Sequence, residues 1–401
     1  MKKNKLRWFL ILSIIFVIIS MLSPYLAKAQ EKENGTPSVK SDEAFLYNVS
    51  TGEVLFDKNS DEKTSIHNLS MLMTTYILIQ DIESGKVSTK DKANISNKAW
   101  QSQSPTMFLE AGRKVSVQKL LEGLIIASGN DAAVTTAEYI SGTTDKFVKR
   151  MNKEAKKLGM DNTTFHSPSG GNDDISTAKD MFLLSKAIIK NYPQYLKYYT
   201  KEEMKFDTRP GKTVVLKNQN GFVMDNSSAK GLKSGWGNHE YHSVGYFEHN
   251  GMKFIVITLN ASSSSKRTSD INKILNYGYN QYTVIKVARS GEKYTDFSVY
   301  KSTTPGPTSV VYKDDLNVVT RVGVSPDELE LDYVGHSYIV GGTNSGDEIG
   351  KVKVYYKDKL LNEEAIVSSE SFKQVKGFSS FLDSIALLFR QILDGVTNAF
   401  H

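Results

Sequence analysis

Two short strings carry side chains suited to acyl chemistry. The first, Leu124-Ile125-Ile126-Ala127-Ser128-Gly129-Asn130-Asp131, runs an apolar segment into a Ser-x-Asn turn. The second, Gly231-Leu232-Lys233-Ser234-Gly235, sets a lysine and a hydroxyl side by side. A serine hydroxyl attacks a peptide carbonyl when a nearby amine takes its proton. Plainer uses stand beside this one: Ser128 and Asn130 could satisfy the backbone of a buried turn, and Lys233 could be a solvated strand end. The bare pairing Ser-x-x-Lys discriminates little. It begins at Ser60, Ser116, Ser176, Ser227, Ser263, Ser290 and Ser298, and none of these has the context a nucleophile needs.

Metal and thiol chemistry find less support. The chain has no cysteine, which excludes disulfides, thiolate catalysis and cysteine-zinc sites. His239 and His242 in Asn238-His239-Glu240-Tyr241-His242 lack the helical His-Glu-x-x-His spacing and fall in an expected loop. No phosphate-binding glycine loop is present, and no cofactor or metal is expected.

The elements that must position these residues are readable. Ala44–Asn48 and Glu53–Phe56, joined through Ser50-Thr51-Gly52, predict a β-hairpin. Helical spacing runs over residues 69–83, 116–138, 144–158 and 176–191, with Ser116 and Ser176 as expected N-caps. Strands are expected at Ser243–Glu248 and Met252–Leu259, and a helix near 268–281. Helices between a leading hairpin and trailing strands suggest a sheet with helices on both faces. From about residue 283 short β-rich runs alternate with Gly, Pro and Asp turns, so a boundary is placed near 282 and residues 283–370 form a small all-β module.

Together with Leu158-Gly159-Met160-Asp161-Asn162-Thr163-Thr164-Phe165, the two opening strings give a sequence that resembles the D-alanyl-D-alanine carboxypeptidases, the low-molecular-mass penicillin-binding proteins of peptidase family S11. The resemblance covers roughly residues 41–370. It implies an α/β (α+β) penicillin-binding-protein-like transpeptidase domain over 41–282, a small all-β domain, and a C-terminal amphipathic helix. It further implies that Ser128 relays a proton, Asn130 holds the peptide, Lys233 attracts the terminal carboxylate of a D-Ala-D-Ala stem peptide of peptidoglycan, and Ser234 and Gly235 dock its backbone.

The family's nucleophile motif departs. Counting forward from the hairpin Thr51-Gly52-Glu53-Val54-Leu55, or back from Leu72-Met73-Thr74, the serine position is Asn68 and the lysine position is Met71. Asparagine has no nucleophilic hydroxyl, and Met71 fills apolarly the space of an amine that would otherwise be an unpaired buried charge. Asn68 is expected to cap the helix that follows. Ser70 would need a lysine at 73 and finds Met73; His67 is a conceivable base. Three readings follow: an impaired family member, a non-enzymatic peptidoglycan-binding scaffold for a cell-wall enzyme, or an active carboxypeptidase with another nucleophile such as Ser70.

The two ends concern location. Lys2, Lys3, Lys5 and Arg7 lead into the apolar run Trp8–Leu22 and then Ala27-Lys28-Ala29, the pattern of a cleaved export signal over residues 1–29, followed by a polar linker at 30–40. The signal carries five of the basic residues behind the formal +6, leaving +1. A near-neutral mature chain removes charge as an argument for nucleic-acid binding. Over residues 371–401, Phe378, Phe381, Leu382, Ile385, Leu388, Phe389, Ile392, Leu393, Val396 and Phe400 recur at helical steps opposite a polar face, the pattern of a helix lying in a membrane interface.

Overall fold

The computed structural model describes residues 35–375 apart from Pro210 and Pro305, together with Ser384 and Leu388. The export segment and nearly all of the terminal amphipathic segment lie outside the described residues. Among those described, no helix is long and apolar enough to cross a membrane. The chain divides into two compact units between Gln281 and Tyr282.

The first unit is organised by a five-stranded antiparallel sheet. Its strands are β1 (Glu43–Asn48), β2 (Glu53–Lys58), β3 (Ala229–Gly237), β4 (Glu240–His249) and β5 (Met252–Ala261), in the order β2-β1-β5-β4-β3. Around it lie α1 (Met71–Glu83), α2 (Val117–Glu122), α3 (Asn130–Ser141), α4 (Thr144–Lys157), α5 (Ala178–Asn191) and α6 (Ser264–Gln281). β1 is buried at every position because helices cover both of its faces. Phe45 and Tyr47 meet Phe182 of α5, with ring centroids 5.2 and 4.5 Å apart. Leu46 points the other way, to α6, where Gly278 lets the helix approach: a Cβ there would stand 3.1 Å from Leu46 Cδ2.

α1 runs through the centre, buried from Met71 through Ile79. The periodicity over 116–138 resolves into α2, a wide π turn over Gly123–Ala127, a left-handed Ser128 and then α3. Ser116 caps α2 through its hydroxyl, which accepts from Lys119 N. At the start of α5 the cap is Thr177 rather than Ser176. Thr177 is extended and its hydroxyl accepts from Asp180 N, whereas Ser176 pairs with Thr64 in a short strand. A hairpin of Glu203–Arg209 and Lys212–Lys217 was not anticipated.

The second unit is built from β6 (Tyr282–Ala288), β7 (Lys293–Tyr300), β8 (Gly306–Tyr312), β9 (Leu316–Arg321), β10 (Glu330–Gly335), β11 (Tyr338–Val340), β12 (Glu348–Tyr356) and β13 (Lys359–Ser368). Six of these form one sheet in the order β10-β12-β13-β8-β7-β11, and β6 pairs with β9. Alternate residues such as Val352, Val354, Val310 and Phe297 fill its core.

Candidate functional site

The Ser-x-Asn turn is fixed from below by its own helix. The π turn closes with Gly129 N donating to Gly123 O at 3.0 Å, and Ser128 takes φ +49°. A non-glycine residue held there is strained and must be over-determined by its surroundings. Asn130 starts α3 with its N–H on Pro105 O (2.8 Å) and its Nδ2 on Gln103 O (2.9 Å). Asp131, buried, accepts from Met107 N and Leu109 N at 2.9 Å each. Two neighbouring side chains thus strap the segment 103–109 to the start of α3. Sequence reasoning named Asn130 but missed Asp131, whose one signal was a carboxylate in the first turn of a helix.

Lys233 reaches the same turn from the sheet. It lies on β3, is 6% exposed, and donates to Ser128 Oγ at 2.7 Å. It is therefore not a solvated strand end. Burial lowers its pKa to about 7, and among the described residues it has no ion-pair partner. Ser234 Oγ donates to Gln219 O at 3.2 Å, and Gln219 N donates to Ile126 O at 3.0 Å, which ties β3 to the π turn through one intermediate residue.

A stability prediction follows from Lys233. Its folded pKa lies below the ordinary lysine value near 10.4, so between the two the unfolded chain holds a proton that the folded chain does not, and stability rises with pH. Denaturant titrations should show a gain of roughly 3 kcal/mol between about pH 7 and about pH 9.5. Lys233→Met should abolish the gain, and an unchanged slope in that variant would assign it to other groups.

Asn68, which the family resemblance aligns with the nucleophile, sits against the same strand. His67–Ser70 forms a 3-10 turn leading into α1, and Asn68 lies within it. Asn68 does not cap α1; its Oδ1 instead accepts from Trp236 N at 3.1 Å, one residue beyond Gly235. Gly235 and Gly237 leave room for the turn to lie on β3. A Cβ at Gly235 would stand 2.6 Å from Asn68 Oδ1, and one at Gly237 would stand 2.3 Å from His67 Nδ1. Met71 has no exposure at all. Ser70 is equally sealed; its hydroxyl makes no hydrogen bond of normal geometry and lies beside the buried Asp174, whose carboxyl is raised by desolvation.

The structure also gathers a cluster that the sequence reading dismissed. Asn238 and His239 form a tight turn, both at positive φ, but Glu240 and His242 belong to β4. Two residues apart on a strand, they share a face, and His67 lies over it. His67 Nε2 is 3.2 Å from Glu240 Oε2, and the His67 and His242 rings are 5.4 Å apart. Burial, then the facing His67 and Arg267, depress the His242 pKa to about 3, so the ring is neutral. The signal was available in the Glu240-x-His242 alternation; it was missed because the segment was read as a loop.

The arrangement therefore offers a hydroxyl bonded to a partly neutral amine, a carboxamide, a strand edge, and a backbone N–H taken up by an asparagine. A family model described as D-alanyl-D-alanine carboxypeptidase matches residues 29–263. The D-alanyl-D-alanine carboxypeptidase DacC of Escherichia coli (strain K12) is 32% identical over 381 residues, spanning 91% of this chain and 92% of that protein. DacF of Bacillus subtilis (strain 168), also a D-alanyl-D-alanine carboxypeptidase, is 27% identical over 374 residues, with 92% and 95% covered. Penicillin binding protein 5 from Haemophilus influenzae, known from crystal structures, matches with a TM-score of 0.62 at 25% identity over 85% of this chain and 99% of that one. With a matched segment that contains the Ser-x-Asn turn and the Lys-Ser-Gly strand, the chain belongs to the D-alanyl-D-alanine carboxypeptidase family, peptidase family S11.

Proposed function

We propose that this protein is an exported family member that binds D-Ala-D-Ala stem peptides of peptidoglycan without forming an acyl-enzyme. The observation that carries the reading is Asn68. Its side chain has no hydroxyl to attack with, and its amide oxygen occupies the Trp236 N–H at 3.1 Å. Backbone donors aimed at a developing oxyanion contribute strongly to acyl transfer. An occupied donor is unavailable to a substrate carbonyl, so the replacement removes an attacking group and covers a stabilising one. Met71, fully buried, supplies no base.

What supports retained binding is the opposite wall. Ser128 and Lys233 keep a 2.7 Å bond, and Asn130 is held by two hydrogen bonds. An arriving peptide carboxylate would favour the charged form of Lys233 and draw a proton onto it. The reading is tested by equilibrium dialysis with a D-Ala-D-Ala-terminated pentapeptide. The native protein should retain the peptide and return it uncleaved, and Lys233→Met should weaken retention by about tenfold or more, the loss expected for a hydrogen bond to a charged group. Released D-alanine would overturn the absence of turnover; retention unaffected by Lys233→Met would overturn the assigned site. Ser70 supports no rival reading, because a hydroxyl with no exposure offers a substrate no face.

The terminal segment places the protein at the outer face of the membrane in this reading. Truncation after Lys376 should move the signal-processed protein from the membrane fraction to the soluble fraction. Unchanged membrane association would reject an interfacial role for residues 378–400.

A further inference from the structure

Glu240 and His242 project from one face of β4, and His67 is brought over them by a backbone conformation that few residues adopt. His67 has φ +48°, a left-handed value uncommon for residues with a Cβ, though Asn, Asp and His adopt it more readily than the rest. Its ring fits only because position 237 is glycine, and its carbonyl fits only because position 170 is glycine, where a Cβ would stand 2.0 Å from His67 O. The same conformation opens the His67–Ser70 turn and sets the imidazole ring over β4. Its local result is that one nitrogen of each histidine and a Glu240 carboxylate oxygen lie within 4.8 Å of one another.

Two further features point to a ligand. His242 is wholly buried, yet its Nε2 has no hydrogen-bond partner. Buried polar atoms are nearly always satisfied, and one left open calls for an explanation such as an ion. The separation between His67 Nε2 and Glu240 Oε2, 3.2 Å, is also that of two ligands on one tetrahedral ion, since bonds of about 2.0–2.1 Å set adjacent ligand atoms about 3.3 Å apart. The site has an entrance, because the Glu240 side chain is 42% exposed while that of His67 is 5% exposed.

We propose that His67, Glu240 and His242 bind a single divalent transition-metal cation, zinc by preference, as a two-histidine, one-carboxylate set with a coordination position left for water or another ligand. Ligand atoms on a tetrahedral zinc stand about 3.3 Å apart, so bringing atoms now within 4.8 Å of one another onto one ion needs combined side-chain shifts of up to about 1.5 Å. Binding at His242 Nε2 requires the ring proton to sit on Nδ1. That displaces the long 3.3 Å bond that Nδ1 accepts from Asn260 N, while Asn260 Oδ1, buried and without a partner, is an acceptor on the same residue. The proton moves within the ring and none is lost. Arg267, which donates to His242 O at 3.4 Å, opposes a second cation nearby, and the Glu240 carboxylate offsets it.

The test uses the full-length protein, free of any histidine tag and stripped with a chelator, titrated with zinc against a chromophoric competitor and separately with cobalt. One equivalent should bind, and the cobalt form should show visible ligand-field absorption. Glu240→Gln, on a partly exposed side chain, and His67→Asn, which tolerates positive φ, should each weaken binding at least about tenfold and remove the cobalt band. His239→Ala, in the adjacent exposed turn, should change nothing. Absence of stoichiometric uptake overturns the proposal. So does uptake that survives both ligand substitutions or that depends on His239. Circular dichroism of each metal-free variant confirms that the comparison is made on folded protein, and no readout depends on peptide binding or turnover.

Discussion

Asn68→Ser combined with Met71→Lys is expected to acquire β-lactam acylation, where the native protein and either single substitution have none. Residues three apart in a 3-10 turn eclipse one another, so the His67–Ser70 turn leading into α1 aligns positions 68 and 71. A serine at 68 and an amine at 71 would then stand together, and loss of the Asn68 side chain would free the Trp236 N–H. Loss of a catalytic serine costs on the order of a millionfold in a well-studied hydrolase, which sets the scale of what the pair can restore. Asn68→Ser alone lacks the base. Met71→Lys alone places a cation where Met71 is sealed from solvent, and should destabilise the fold by several kcal/mol, on the order of 3–5. The second substitution should recover part of that loss by supplying a hydrogen-bond partner. Intact-mass spectrometry with penicillin reads the outcome. A double variant that folds normally and remains unreactive would show that 68 and 71 are not the nucleophile and base positions.

Asp131→Ala should be the most damaging truncation to alanine in the Ser-x-Asn turn. Among the described residues it removes the only acceptor of two buried backbone donors, Met107 N and Leu109 N, and each such orphan costs about 1–3 kcal/mol. The expected loss of about 3–5 kcal/mol corresponds to a fall in Tm of roughly 8–15 °C for a unit of this size. Asp131→Asn, which keeps one acceptor oxygen, should lose about half as much. Because the same segment holds Asn130 through Gln103 and Pro105, pentapeptide retention should weaken in parallel. Thermal melts and dialysis on the two variants check this. A Tm within about 2 °C of native for Asp131→Ala would show that the strap is not needed.

How far the sequence led depended on whether a feature was local. The Ser-x-Asn turn, the strand through Lys233 and the buried runs of β5 and α1 were legible because apolar runs and turn residues report local structure. The Ser128–Lys233 contact itself joins residues far apart in the chain; only the family resemblance suggested it. Asn68 was misread as a cap because its partner, Trp236 N, belongs to a distant strand that competes for the same amide oxygen. Ser176 lost the cap of α5 to Thr177 by one residue, within the ordinary uncertainty of helix ends. The hairpin 203–217 went unseen because only Met204 and Thr208 are buried in it, and Val215, which would signal a buried face, is exposed. The histidine cluster needed the position of His67 over β4, which no spacing in the sequence encodes.

Whether this D-alanyl-D-alanine carboxypeptidase scaffold has lost its acylating machinery is decided by incubating the native protein with excess penicillin and measuring its intact mass. The expected spectrum contains the unmodified chain alone; a stoichiometric adduct of one penicilloyl group, mapped to any residue of the first unit, would contradict that loss.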